Sequence, residues 1–403
     1  MNYITPNKKE RGFLEFGSNQ RYIPFGCNYF DPQTGWAPQL WQQFDEEKTK
    51  RHFDTMAHLG VNTVRVFLTI ASFMTESGLL SESGIKKADR MLAIARNKGI
   101  RIEFAGPDLW EGIPEWASGY FVGEDNAYFL HDEWVDRLQR FWLQFAKYYS
   151  EEKAIFSYDL LNEPWLKWDS PLIRKSWGED LPSPDLCPMD GSGDPSFLQF
   201  REQLTEGWIS KMVNAIRSSD ANHMVTTGFH QLSMPHDSKD RYTLPGFNGK
   251  RLTKFLDYAA MHWYPYSAHE HVRPHLHDDP VRKNIHLIRS SLRNGYAGKP
   301  MVIEEFGWYG GGEVVSWNEA LPYVEEEVQT KYLQMVVEGT RDLADGWMSW
   351  AYADTPSSLD VTKKSGLVNE EGEIKVWGQA FKELSMKIVP NKLNLEVRAC
   401  TSE

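Results

Sequence analysis

The 403-residue chain is short of cysteine, and the three it has, Cys27, Cys187 and Cys400, are an odd number with no metal-knuckle spacing. A disulfide-stapled secreted fold is therefore not expected; free thiols in a reducing compartment are. The opening "MNYITPNKKERGF" lacks the apolar core of a signal peptide. No apolar run approaches the ~18 residues that a spanning helix needs. These two absences predict a cytoplasmic protein with no membrane partner. Positive charge is also in deficit: 44 Lys and Arg against 56 Asp and Glu leave a net charge of −12. That excess argues against nucleic acid or an anionic membrane as partner and leaves neutral ligands open. What the chain has in plenty is aromatic: 16 Trp, 17 Tyr and 21 Phe. Such a stock serves a large core, and equally a cleft lined with flat rings. Nothing in the sequence specifies an oligomeric state.

Along the chain, strand and helix patterns alternate. "GFLEFG" and "RYIPFGCNYF" read as two strands around a turn, a hairpin at about 12–25. "FDEEKTKRHFDTMAHLG" reads as a helix with Asp45 as N-cap and Gly60 as its stop, followed by the strand "VNTVRVFL". "IKKADRMLAIARNKG" repeats the plan, with Ile85, Ala88, Leu92 and Ala95 on one face and Gly99 at the end, followed by "IRIEFAG". Trp134, Leu138, Phe141, Trp142, Phe145 and Tyr149 form another helical stripe. Further helices are expected near 196–217, 280–293, 323–340 and 375–386. Eight strands are expected to start near residues 22, 62, 100, 154, 223, 256, 301 and 346. Eight strands separated by helices predict an α/β fold of the closed (β/α)8, or TIM-barrel, type. A doubly wound open sheet is the alternative, but no Gly-rich phosphate loop follows the first strand. The expected layout is one domain over 1–403, with the barrel at about 22–388 and a tail at 389–403. Segments after strands are long (31–44, 106–130, 164–195, 265–279 and 309–321) and segments before strands are short. In barrels the chemistry sits on loops after strands.

Two of those strand ends carry carboxylates. "YDLLNEPW" ends a buried strand on Asn162 and Glu163, and "MVIEEFGW" ends another on Glu304 and Glu305. An unpaired buried charge is costly, so these groups belong at a common mouth. Paired carboxylates across a small gap are the apparatus of glycoside hydrolysis. Here the sequence resembles a known family. "LLNEP" and "EEFG", with "GCNYF", "NTVRVFL", "MHWYPY" and "WMSWAY" in order, are similar to the retaining (β/α)8 glycosidases of clan A. The closest likeness is to glycoside hydrolase family 5, over roughly residues 12–388.

The resemblance implies that Glu163 is the acid/base and Glu305 the nucleophile of a double displacement. Strand alternation predicts that Glu304 and Glu305 point to opposite sides. Glu305 is chosen as the nucleophile, and Glu304 becomes a buried partner of a cation behind the barrel. The resemblance further implies that Arg65 keeps the nucleophile ionised. Asn162 binds the sugar 2-hydroxyl. His262 and Tyr264 form the strand-six pair, with Tyr264 orienting Glu305. Trp350 is the floor for the reacting sugar. Glu163 is expected to be raised beside ionised Glu305. One departure stands out: where the family has a histidine near the end of strand three, this chain reads "EFAGPDLW", so Asp108 or Trp110 takes that place.

Trp110, Trp116, Trp165, Trp168 and Trp308 lie on mouth-side segments, and two or three of them are expected to touch substrate. "WYGGGE" is a lid or a plain turn. "HEHVRPHLH", with His269, His271, His275 and His277, has metal-like spacing but no matched cysteine. The implied chemistry needs no metal and no cofactor, so a solvated loop is expected there. The expected substrate is a β-1,4-linked manno-oligosaccharide, cut in exo fashion. The alternatives are an endo-mannanase or endo-glucanase, a non-catalytic sugar-binding barrel, and a metal-dependent barrel hydrolase.

Overall fold

The computed structural model describes residues 1–34, 39–178, 181, 194–235, 245–264, 280–308, 325–358 and 361–390. Eleven strands are found in them: β1 (Ile4–Pro6), β2 (Phe13–Glu15), β3 (Arg21–Tyr22), β4 (Phe25–Tyr29), β5 (Thr63–Thr69), β6 (Arg101–Asp108), β7 (Ile155–Asn162), β8 (Met224–Phe229), β9 (Ala259–Trp263), β10 (Met301–Phe306) and β11 (Gly346–Ser349). The last eight close into a barrel in the order β10-β11-β4-β5-β6-β7-β8-β9, and every pair in it is parallel. Strands β5, β6 and β8 are buried at every position, as parallel strands covered on both faces must be.

The helices form where the pattern places them, and their ends have physical causes. Asp45 caps Glu46–His58 by accepting the Lys48 N–H at 2.9 Å. Gly60 and Gly99 follow their helices with φ of 84° and 70°, a region open to glycine at no steric cost. Ile85, Ala88, Leu92 and Ala95 are all buried on Glu82–Asn97, and the six-residue apolar stripe of Asp132–Tyr149 is buried throughout. The other expected helices are Pro195–Arg217, Pro280–Gly295, Glu326–Thr340 and Val376–Ile388.

The N-terminal hairpin needs correction. It is a three-stranded antiparallel sheet, β1-β2-β3, because Ile4–Pro6 adds a strand the sequence pattern did not reveal. "RYIPFGCNYF" is also not one strand. It divides around Pro24, which has no N–H to donate, so Arg21–Tyr22 pairs with β2 while Phe25–Tyr29 enters the barrel. The sheet seals the end of the barrel where strands begin. Phe13 is fully buried there and meets Phe156 and Tyr258 edge-on, at 5.5 and 5.4 Å between ring centres.

Cys27 is a buried free thiol, pushed well above its usual range by burial. Cys187, Cys400, the 269–277 histidines, Gly310–Gly312 and, within 164–195, residues 179–180 and 182–193 lie outside the described residues. So does the tail beyond Pro390. Among the described residues no helix is long and apolar enough to cross a membrane.

Candidate active site

The site begins with one arginine. Arg65 is the only charged residue of the strand TVRVFLT, and it is fully buried inside the barrel. Its Nη1 donates to Glu305 Oε1 at 2.5 Å and to Asn28 Oδ1 at 3.0 Å. Its Nη2 donates to Asp159 Oδ2 at 2.6 Å and to Asn162 Oδ1 at 2.9 Å. Its Nε donates to the same Asp159 oxygen at 3.0 Å. Glu103 and Glu304 each bring an oxygen within 3.5 Å of Nε. The guanidinium plane also lies 4.7 Å from the Phe67 ring centre. A planar cation with five donors suits such a ring of carboxylates, where a lysine would serve one or two.

Register explains the convergence. Arg65 is level with Asn28 on β4 and with Glu103 on β6. Glu103 is level with Ser157 on β7, and Glu305 with His262 on β9. Each of these strands thus contributes a polar residue to one interior layer.

Glu163 follows the last residue of β7 with φ of 43°, a left-handed conformation rare for a residue with a side chain. Its N–H is anchored on Gly228 O at 2.9 Å. Such outliers persist where the surroundings enforce them, and they gather at functional sites. The strand ends here because the next residue is Pro164. Glu163 is thereby turned towards the barrel axis, with its side chain 26 % exposed. One oxygen of Glu163, one of Glu305 and a ring nitrogen of His262 lie within 4.8 Å of one another.

Glu305 is more enclosed. Tyr264 donates to its Oε2 at 2.7 Å while Arg65 holds Oε1. Both oxygens therefore accept from fixed donors, an arrangement suited to the ionised form. His262 spans the remaining acids. Its Nδ1 is 2.9 Å from Glu163 Oε1 and 3.5 Å from Glu305 Oε1, and its Nε2 is 3.0 Å from Glu304 Oε2.

The expectation for Glu304 is overturned. It does not lie behind the barrel but inside it, against Arg65 and His262. The cause is a register shift in β10 between Ile303 and Glu305 against β9. The irregularity breaks the period of two, so both glutamates face inward.

The electrostatics also depart from expectation. Burial pushes Glu163 up, but His230 and His262 outweigh it, and the carboxyl is lowered to about 2. Glu163 is thus not raised in the free site. Glu305 moves the other way: burial raises it, with help from the Glu163 charge, against the pull of His262, Arg65 and Tyr264. Burial lifts Glu304 to about 7 and Glu103 well above the usual carboxylate range. Asp108, at the end of β6, is raised to about 8 by burial. Its Oδ1 accepts the Trp110 N–H at 2.9 Å, while Oδ2 is buried with no partner among the described residues.

The aromatic residues divide. Trp110 stacks on Phe67 with ring centres 5.3 Å apart and planes 10° apart. Trp350 meets the same Phe67 edge-on at 5.8 Å, and its Nε1 donates to Thr362 at 2.9 Å. Trp165 is exposed, beside His230. Trp308 requires correction as a sugar contact. It is fully buried and packs edge-on against Tyr332 at 4.7 Å, on the helix Glu326–Thr340 that covers the barrel. Trp116 is held between Trp134 and Arg137, away from the carboxylates.

Sequence reasoning missed Asn28, Glu103, Asp159 and His230. The first three had a signal: each is a polar residue within a buried stretch of strand. His230 had none, because it lies on the segment after β8, where polar residues are ordinary. Its Nδ1 accepts the Leu232 N–H at 3.0 Å, and burial pushes the imidazole below its usual range.

Among the described residues two groups have ligand-like spacing, Glu163–His262–Glu305 and Glu103–Asp159–Glu304. Arg65 bonds or pairs with four of the five carboxylates in them, so a guanidinium already stands where a metal would.

Comparison with known proteins agrees with this geometry. A family model described as Cellulase (glycosyl hydrolase family 5) matches residues 19–355. A putative mannan endo-1,4-β-mannosidase 9 of Oryza sativa subsp. japonica is 24 % identical over 244 residues, covering 55 % of this chain and 51 % of the relative. The chain spans about half the length of that relative. Among solved structures, the exo-β-1,4-mannosidase Op5Man5 of Opitutaceae bacterium strain TAV5 superposes with a TM-score of 0.66 at 19 % identity, covering 96 % of this chain and 63 % of that one. The endo-1,4-β-mannanase of Rhizomucor miehei gives 0.66 at 14 % identity, covering 96 % and 99 %. At such identities the structural likeness speaks to the fold.

Proposed function

The chain belongs to glycosyl hydrolase family 5, and from that premise we propose that it is a retaining β-glycoside hydrolase acting on β-1,4-linked manno-oligosaccharides. The observation that carries this reading is the proximity of two carboxylates at the ends of β7 and β10, with oxygens within 4.8 Å. Retaining enzymes hold their carboxyls about 5–5.5 Å apart, and inverting ones leave a wider gap for water. Glu305 is the nucleophile: Arg65 and Tyr264 hold both its oxygens in the charged state and aim it. Glu163, the more exposed carboxyl, delivers a proton to the leaving oxygen and then serves as base for water. Asn162 is fixed through its oxygen to Arg65, which turns its amide nitrogen to donor work towards the sugar. Trp350 and Trp110 frame the sugar face, and Asp108 or Trp110 takes the place of the histidine that the family resemblance implies near the end of strand three.

Manno specificity rests on the relatives, which include both an endo- and an exo-acting mannosidase by name. Exo action is our first reading, because the 164–195 segment that follows Glu163 in the chain is long enough to close one end of a groove. Endo action is the second, favoured by the name of the rice relative.

The test is time-resolved product analysis on end-labelled manno- and cello-hexaose. Mannose released from the start supports exo action, mixed mid-length products endo action, and cleavage of neither overturns the substrate class. Glu305→Gln is expected to lose nearly all turnover. Glu163→Ala should lose about 10²–10⁴-fold on oligosaccharide, the usual worth of a general acid. It should lose far less on a dinitrophenyl glycoside, whose leaving group needs no proton.

A further inference from the structure

Resting on that reading, we propose that the proton delivered by Glu163 is stored on His262, and that Glu304 is the positioning residue that keeps it there. The argument starts from the ring's two faces. Nδ1 lies 2.9 Å from a Glu163 oxygen and Nε2 lies 3.0 Å from a Glu304 oxygen. Carboxylates only accept, so a neutral imidazole satisfies one contact and leaves the other as two facing acceptors. An imidazolium donates to both. The surroundings suit that charge: Glu163, Glu304 and Glu305 all face the ring. Arg65 faces it too, but its charge is shared among Asp159, Glu305, Glu103 and Glu304. His230 stands on the Glu163 side, and burial drives it towards its neutral form. Tyr264 is committed to Glu305.

Burial lifts Glu304 to about 7, and it accepts from Nε2 when the proton shared with the deeper acids sits on Glu103. Glu103, Asp159 and Glu304 bring oxygens within 4.8 Å of one another, and three adjacent buried anions repel. Glu103 takes up that proton: burial and Glu304 both raise it, and because Ser157 (2.6 Å) and Tyr258 donate to its Oε2, the proton belongs on Oε1, which has no hydrogen-bond partner among the described residues. The site is built tightly. A Cβ on Gly228 of β8 would sit 2.7 Å from His262 Nε2 and 2.8 Å from Glu304 Oε2.

The sequence of proton transfers balances. As the glycosidic bond breaks, the Nδ1 proton moves to Glu163 Oε1 and the carboxyl proton passes to the leaving oxygen. His262 is left neutral, its Nε2–H still held by Glu304. In the second half, water attacks the glycosyl-enzyme, gives a proton to Glu163, and that proton returns to Nδ1. The low position of Glu163 in the free site is then a property of a base already relieved of its proton by its neighbour.

The test is Glu304→Gln, which keeps the shape and a hydrogen-bond acceptor but removes the counter-charge. The alkaline limb of kcat/KM on manno-oligosaccharide should move to lower pH by about one unit. The rate on oligosaccharide should fall at least about tenfold further than on the dinitrophenyl glycoside, a fraction of what a general acid supplies. Equal losses on both substrates with an unmoved limb would mean a structural role only and overturn the proposal. If that variant does not fold, histidine side-chain ¹⁵N NMR on the unaltered enzyme decides. A proton on both ring nitrogens at the pH of the activity plateau supports the relay, and one bare nitrogen refutes it. The His262→Gln spectrum assigns the signal. The two readings fail separately: loss of substrate discrimination in Glu163→Ala removes the acid role itself, while a flat Glu304→Gln with Glu163→Ala behaving as expected removes only the relay.

Discussion

Asp108 shows how one buried carboxyl links site and stability. Burial holds it at about 8 in the folded chain, against about 3.9 in an unfolded one. Between those values the folded state binds more protons, so this group's contribution to stability falls as pH rises from about 4 to about 8. Asp108→Asn removes that dependence. Calorimetric melts should show the variant gaining on the wild type from pH 4 to pH 8, by on the order of a few kcal/mol at the upper end. A constant difference across that range means that Asp108 is not titrating in the fold. Glu305, also raised by burial, must be ionised to attack. The acid limb of activity is therefore expected to be shifted upward from the ordinary position of a glutamate. The identity of both strand-end glutamates was legible in the chain, because Asn-Glu-Pro and Glu-Glu-Phe-Gly end otherwise apolar strands. The lowering of Glu163 was not legible, since it depends on His230, a residue 67 positions away whose local sequence gives no sign of it.

At the scale of elements, the register shift in β10 matters most. An unbroken strand would send Glu304 outward, and the period of two predicted that. The shift between Ile303 and Glu305 turns both inward and adds a carboxylate to the layer around Arg65. Such irregularities depend on how neighbouring strands pair, so a single strand's sequence does not announce them. Strand β8 makes the complementary adjustment by having no side chain at Gly228. Gly228→Ala would press a methyl group against His262, Glu304 and Arg65. The expected cost is about 1–3 kcal/mol of stability from overpacking, with a larger fall in kcat than rise in KM, because the displaced groups hold the reacting carboxylates. Steady-state kinetics beside a urea melt checks both. The N-terminal sheet was half legible: the turn around Ser18–Gln20 is visible, but three-residue strands such as Ile4–Pro6 are too short to show a period.

For the whole molecule, a barrel is open at two ends and this one treats them differently. Where strands begin, Ile4, Phe13, Phe156, Met224, Tyr258, Ala260 and Val302 form a separate apolar cluster closed by the N-terminal sheet. Where strands end, Asn162, Glu163 and Glu305 lie. Phe13→Ala should therefore cost about 3–5 kcal/mol and lower the melting temperature. Turnover per folded molecule should stay near wild type, as measured by active-site titration. A matching loss of turnover would mean that the plug also supports Glu103 through Tyr258.

By itself the sequence determined the fold class, the positions of the barrel strands to within about three residues, and the two strand ends that carry the candidate catalytic glutamates. It could do so because apolar periodicity, helix caps and stop glycines act locally, over a few neighbouring residues. Only the tertiary structure decided that Glu304 faces inward, that Trp308 packs against a covering helix, and that five carboxylates gather around one arginine and one histidine. Those outcomes depend on strand register and on burial. Both are set by residues that are far apart in the chain and meet only when the barrel closes.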